Sequence, residues 1–179
     1  MKKLAAALLA FLMIFSVTAM AENTAFTFRN GVTFQMDMSA VMGTESGRAD
    51  IDDEHTRGGI KYTKAEYENV TENGVTADLE YLFIDNSLIA IRVKYDDGRM
   101  NYDVLMNDLT SKYGEAAAVD TAALGNAIYA VDEDGRLKAD SRAFTSGSLM
   151  VIVEREKDDD GDEIEITYLD MTAAYITVR

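Results

Sequence analysis

Residues 76–95 read TADLEYLFIDNSLIAIRVKY, and residues 96–114 continue DDGRMNYDVLMNDLTSKYG. In the first block Leu79, Tyr81 and Phe83 alternate with more polar neighbours, and Ile89, Ile91, Val93 and Tyr95 repeat the alternation. Between the runs stand Asp85 and Asn86, two residues that tolerate the positive φ of a tight hairpin turn. The spacing predicts a β-hairpin. From Asn101 the period becomes helical: Tyr102, Leu105, Met106, Leu109 and Tyr113 share one side, with Asn101 as N-cap and Gly114 just past the C-terminus. A hairpin followed at once by an amphipathic helix can close a two-layer core.

Working outward, Phe26 to Phe34 reads as a short extended segment turning at Asn30-Gly31. Asp37 can cap a brief helix carrying Met38, Val41 and Met42, ending near Gly43 or Gly47. Residues 46–59 have no apolar period and two glycine signals, so a loop is expected there. Strand character follows from Ile60 to Tyr67, then an Asn73-Gly74 turn. Beyond the central helix, an alanine-rich connector (115–125) precedes an expected strand at 127–131 and another, poorly alternating, from Leu137 to Phe144. Leu149 to Glu154 is apolar at consecutive positions, the mark of a strand buried on both faces. In the last strand Ile164, Ile166 and Tyr168 point inward. Asn-Gly and Asp-Gly pairs at 30–31, 73–74, 97–98, 134–135 and 160–161 punctuate hairpins and leave no room for parallel crossovers. The expected fold is α+β: an antiparallel sheet of about six to seven strands with two helices on one face. The order of elements resembles a diverged tandem repeat of one helix-plus-strands unit.

The first 21 residues stand apart. Lys2 and Lys3 precede the apolar run Leu4 to Val17, and Ala19-Met20-Ala21 is a small-x-small cleavage site before Glu22, the pattern of a secretory signal peptide. Cleavage there leaves 158 of 179 residues, 22–179, as a single domain. It also removes both lysines, leaving 15 basic against 32 acidic residues and a net charge of −17. Such a surface disfavours nucleic acid and anionic lipid, which attract basic patches, so neither nucleic acid nor, after cleavage, membrane is an expected partner. The chain has no cysteine. Export therefore brings no disulfide and no lipid anchor on a cysteine, and stability must come from packing.

Several phrases resemble small exported proteins of Gram-positive gut bacteria, across about residues 26–175. These are Phe28-Arg-Asn-Gly-Val-Thr-Phe34 with Met36-Asp-Met-Ser-Ala-Val41, then Tyr81-Leu-Phe83, Leu88-Ile-Ala-Ile91 and Leu109-Thr-Ser-Lys-Tyr-Gly114. Two positions depart from that pattern: Gln35 stands where glycine is usual, and Asp37 where serine is usual. The element order is similar to that of the beta-lactamase inhibitor protein and of small lipoproteins of outer-membrane assembly. That likeness implies a protein-binding role, at the level of fold alone.

Constellations that could carry chemistry are incomplete. Glu156, Asp158 and Asp160 match the first, third and fifth ligands of a calcium loop when Gly161 is taken as the sixth position. Thr167 then occupies the twelfth, where a bidentate glutamate is needed. Asp50, Asp52, Asp53, Glu54 and His55 crowd one segment, but His55 is the sole histidine and no cysteine can assist it at zinc. No Gly-x-Ser-x-Gly elbow occurs. No catalytic residue, metal or cofactor is expected. Tyrosines 81, 95, 113 and 168 fall on core faces. If Ile89, Ile91 and Val93 face the helices, then Leu88, Ala90, Arg92 and Lys94 form an outer strip, mildly apolar and cationic on an acidic protein. That strip is the expected protein-binding face, where Leu88→Ala and Arg92→Ala would cost little. The reading is a secreted or cell-envelope module binding an unknown protein or envelope component. The alternative is a cation-responsive domain or hydrolase using acidic loops 50–55 or 156–163.

Overall fold

The computed structural model describes residues 26–57, 60–96, 98–132, 134–158 and 161–172. The signal peptide expected at residues 1–21 and the adjoining residues 22–25 lie outside the described set.

One antiparallel sheet of eight strands runs through the molecule, in the order β1-β2-β3-β4-β8-β7-β6-β5. Its strands are β1 (Asp50–Arg57), β2 (Ile60–Glu72), β3 (Val75–Ile84), β4 (Ser87–Tyr95), β5 (Ala117–Ala118), β6 (Arg142–Ser146), β7 (Leu149–Asp158) and β8 (Gly161–Asp170). Helix α1 (Met38–Met42) precedes the first four strands and α2 (Tyr102–Tyr113) the second four. Two short helices, α3 (Thr121–Leu124) and α4 (Ile128–Val131), fall between β5 and β6. The halves meet where β4 pairs with β8, from Ala90↔Leu169 to Tyr95↔Ile164. Helix followed by a four-stranded meander thus occurs twice, with the fourth strands joined at the centre. The α+β class and the antiparallel pairing agree with the sequence reading; the strand count is higher.

Local chemistry sets the boundaries as expected. Asp37 Oδ1 accepts from the Ala40 amide at 2.8 Å and starts α1. Asn101 Oδ1 accepts from the Val104 amide at 3.0 Å and starts α2. Asp85 and Asn86 have φ of 51° and 63°, as the two-residue turn between β3 and β4 demands. Gln35 sits at φ 68°, a left-handed conformation that glycine adopts without strain. Its amide and the carbonyl of Met36 both bond the backbone of Leu88 at 2.9 Å, which holds this segment to β4.

The two expected helices share one face of the sheet, and two further short helices cover the other. Val41 of α1 and Leu105 and Leu109 of α2 pack on the first face, against Leu79, Tyr81, Phe83, Ile91, Val93, Ile164 and Ile166. The segment 26–34 crosses the same face: the Phe26 ring stacks on Phe34 at 4.8 Å and on Tyr168 at 5.3 Å. On the second face Leu124, Ala127, Ala130 and Val131 cover Leu82, Ala90, Ile152 and Leu169. The residues expected to form a strand at 127–131 are therefore helical. Asp120 caps the preceding α3, accepting from the Ala122 and Ala123 amides, and the chain runs on through a turn of 3-10 helix (Gly125–Ala127) into α4. Within the expected loop 46–59, residues 46–49 are irregular as expected, 58 and 59 lie outside the described set, and the remainder differs. Backbone 50–57 is strand β1, paired with β2 from Asp50↔Glu66 to Arg57↔Ile60 around a register shift between Asp52 and His55.

Candidate interaction surface

The proposed outer strip does not exist as a surface. Leu88 and Ala90 are 0% exposed and Arg92 is 6% exposed. A bulge breaks the alternation, because Phe83 pairs with Leu88 while Leu82 pairs with Ala90, leaving Ile89 as the extra residue. Leu88 consequently lies on the first face with Ile91, whereas Ala90 lies on the second beneath α3 and α4. Of the four residues, Lys94 alone keeps substantial exposure, 42% of its side chain, and sits 3.5 Å from Glu163 and 3.7 Å from Asp96.

Arg92 serves the fold instead. Its guanidinium lies 2.7 Å from Glu80 and 3.0 Å from Glu165. The same group donates to the carbonyls of Val131 (2.8 Å) and Ala130 (3.3 Å), in α4. Carbonyls at a helix C-terminus lack intrahelical partners and carry partial negative charge, so a cation there is doubly matched. Burial pushes the Glu165 carboxyl up to about 7, with Arg92 pulling it the other way. Burial likewise raises Glu154, which accepts from the Lys138 amide at 2.8 Å.

A second buried polar cluster pins the N-terminal segment on the first face. Tyr81 donates its hydroxyl to Glu45 at 2.5 Å. Asn30 donates to the other oxygen of Glu45 at 3.3 Å, and Arg29 lies 3.5 Å from Glu45 and 3.4 Å from Glu72. Burial, then the Glu45 carboxylate, push the Tyr81 phenol far above its usual range. The side chain of Glu45 is 1% exposed. A carboxylate so enclosed holds structure and cannot meet a ligand. Nothing in the sequence marks Glu45 or Arg29, since each stands beside small polar residues in an irregular stretch.

The acidic segments resolve differently. Strand β7 runs through Asp158 and β8 begins at Gly161, paired with it, so the would-be calcium loop lies at a hairpin end. Residues 159 and 160 and the side chain of Asp158 lie outside the described set. Among the described residues no three His, Cys, Asp or Glu side chains stand close enough to hold a metal ion. The side chains of Asp53, Glu54 and His55 also lie outside that set, while Asp50 and Asp52 are exposed on β1. No helix among the described residues is long and apolar enough to cross a membrane.

Accessible apolar surface is found where β1 ends the sheet. Ile51 is 38% exposed, one of two large hydrophobic side chains standing out among the described residues. It borders an open cleft of about 690 Å³ lined by Met42, Arg48, Ala49, Asp50, Ile51 and Tyr67. Ile51 pairs with Ala65, a residue of the first-face core, while Asp50 and Asp52 pair with Glu66 and Lys64. Apolar and acidic side chains therefore alternate across the edge. The opposite end of the sheet offers only the two residues of β5. Compared with known proteins, the chain matches no family model, no curated protein and no solved structure.

Proposed function

We propose that this chain is an exported protein-binding module that takes its partner along the β1 edge of the sheet. The observation that carries the reading is Ile51, exposed on an edge strand beside an open cleft floored by Met42, Ala49 and Tyr67. An edge strand presents backbone donors and acceptors along its outer side, and an added strand satisfies them while a neighbouring pocket selects a side chain. The resemblance to exported proteins and to protein-binding folds points the same way. The test is a photo-crosslinking residue placed at Ile51 in the exported protein, with a second placed at Val104, which is 55% exposed on α2. The expected result is an adduct formed from position 51 and not from position 104. Adducts from position 104 alone would move the site to the helical face and end this reading.

A further inference from the structure

We infer that the β1 edge receives an extended segment in which cationic and apolar residues alternate, added to the sheet as a ninth strand. The inference rests on the protein-binding reading and supplies the chemistry of the partner. Neighbouring strands place their side chains in register, so residues on an added strand fall beside those of β1 on the same two faces. On the first face that neighbour is Ile51, and beyond it the cleft between Met42 and Tyr67 takes an apolar side chain. On the second face the neighbours are Asp50 and Asp52, both exposed.

Asp50 stands directly opposite Glu66, and like charges so placed repel. Glu66 itself lies 3.2 Å from Lys64, and Lys64 also lies 3.8 Å from Glu80. A cation on the far side of Asp50 would relieve the repulsion without displacing that pairing. The same acids discriminate between occupants. A second copy of this chain would bring another acidic β1 against the first, which the charges oppose. A basic strand meets no such barrier. The register shift between Asp52 and His55 bends the edge and confines regular addition to the Asp50–Asp52 end, where the cleft lies.

The experiment measures binding of labelled twelve-residue peptides to the exported protein by fluorescence anisotropy. The peptides alternate valine with lysine, with serine or with glutamate, and two further probes are a scrambled valine–lysine sequence and an alternating one N-methylated at every second amide. The alternating lysine peptide is expected to bind about threefold more tightly than the serine one, as one surface ion pair at Asp50 allows. The glutamate, scrambled and N-methylated peptides should lose binding. Ile51→Ser should weaken the lysine peptide by about tenfold, the worth of one apolar side chain, and Asp50→Asn by less. Equal binding of scrambled or N-methylated peptide would mean diffuse charge attraction and overturn strand addition. Equal, methylation-sensitive binding of the serine and lysine peptides would overturn the cationic preference and leave the edge intact. If no peptide binds while position 51 still crosslinks a partner, the inferred chemistry fails and the protein-binding reading survives. If neither occurs, both fail.

Discussion

Replacing Arg92 with alanine would leave Glu80 and Glu165 without their shared cation and the last carbonyls of α4 without a donor. Breaking a buried pair from one side costs roughly 3–5 kcal/mol, so Arg92→Ala should lower the urea midpoint severely. This is far from the small cost expected of an outer strip. Glu165 makes a separate, pH-resolved prediction. Its folded pKa, about 7, lies above the unfolded value near 4.5. The folded state therefore holds more protons between those values, and its contribution to stability is fully present below pH 4.5 and lost as pH rises through 7. Glu165→Gln should flatten the fall in stability across that window; an unchanged slope would assign it to other acids. The difference between Arg92 as surface and Arg92 as anchor was not legible in sequence. Its period-two position is correct for the second face, but the helices that cover that face come from residues 121–131, which read as connector and strand.

At the scale of elements, the turn and cap chemistry of the central stretch was legible because each signal is local. Asp85-Asn86, Asn101 and Gly114 act within four residues of themselves. The misreadings have longer-range causes. β1 has no apolar period because Ile51 is the sole large apolar residue in the segment 50–57, and only pairing with β2 makes it a strand. Residues 127–131 have β-branched and aromatic members and no side-chain cap, yet burial of Ala127, Ala130 and Val131 against the sheet holds them helical. The bulge at Ile89 leaves no mark in a run of consecutive apolar residues, and it reverses where Leu88 points. A set of truncations tests the packing. Leu109→Ala on α2 and Leu88→Ala on β4 should each cost about 2–5 kcal/mol, because both are buried on the first face. Val104→Ala, on the exposed side of α2, should stay within about 0.5 kcal/mol. Chemical denaturation of the three variants decides, and a mild Leu88→Ala would mean that the 35–36 segment does not cover β4.

For the whole molecule, composition bounds the possibilities and leaves the site open. The acidic balance and the lack of cysteine follow from counting, whereas the edge and its cleft exist only once β1 has paired. The proposed export makes its own prediction: mass spectrometry of secreted protein should find Glu22 as the first residue, and an intact Met1 would contradict cleavage at Ala21. The meeting of two meanders at β4 and β8 has a further consequence. Within the sheet the halves touch at that seam alone, through pairs such as Ala90↔Leu169 that lie far apart in the chain. Each half carries its own turns and helix, but neither can cover its seam strand without the other. A chain interrupted between Tyr95 and Asn101 should therefore behave as a split protein. Each piece alone would lack the circular dichroism of a stable sheet, and the two mixed would recover it, making the seam a ready-made reporter of two molecules brought together.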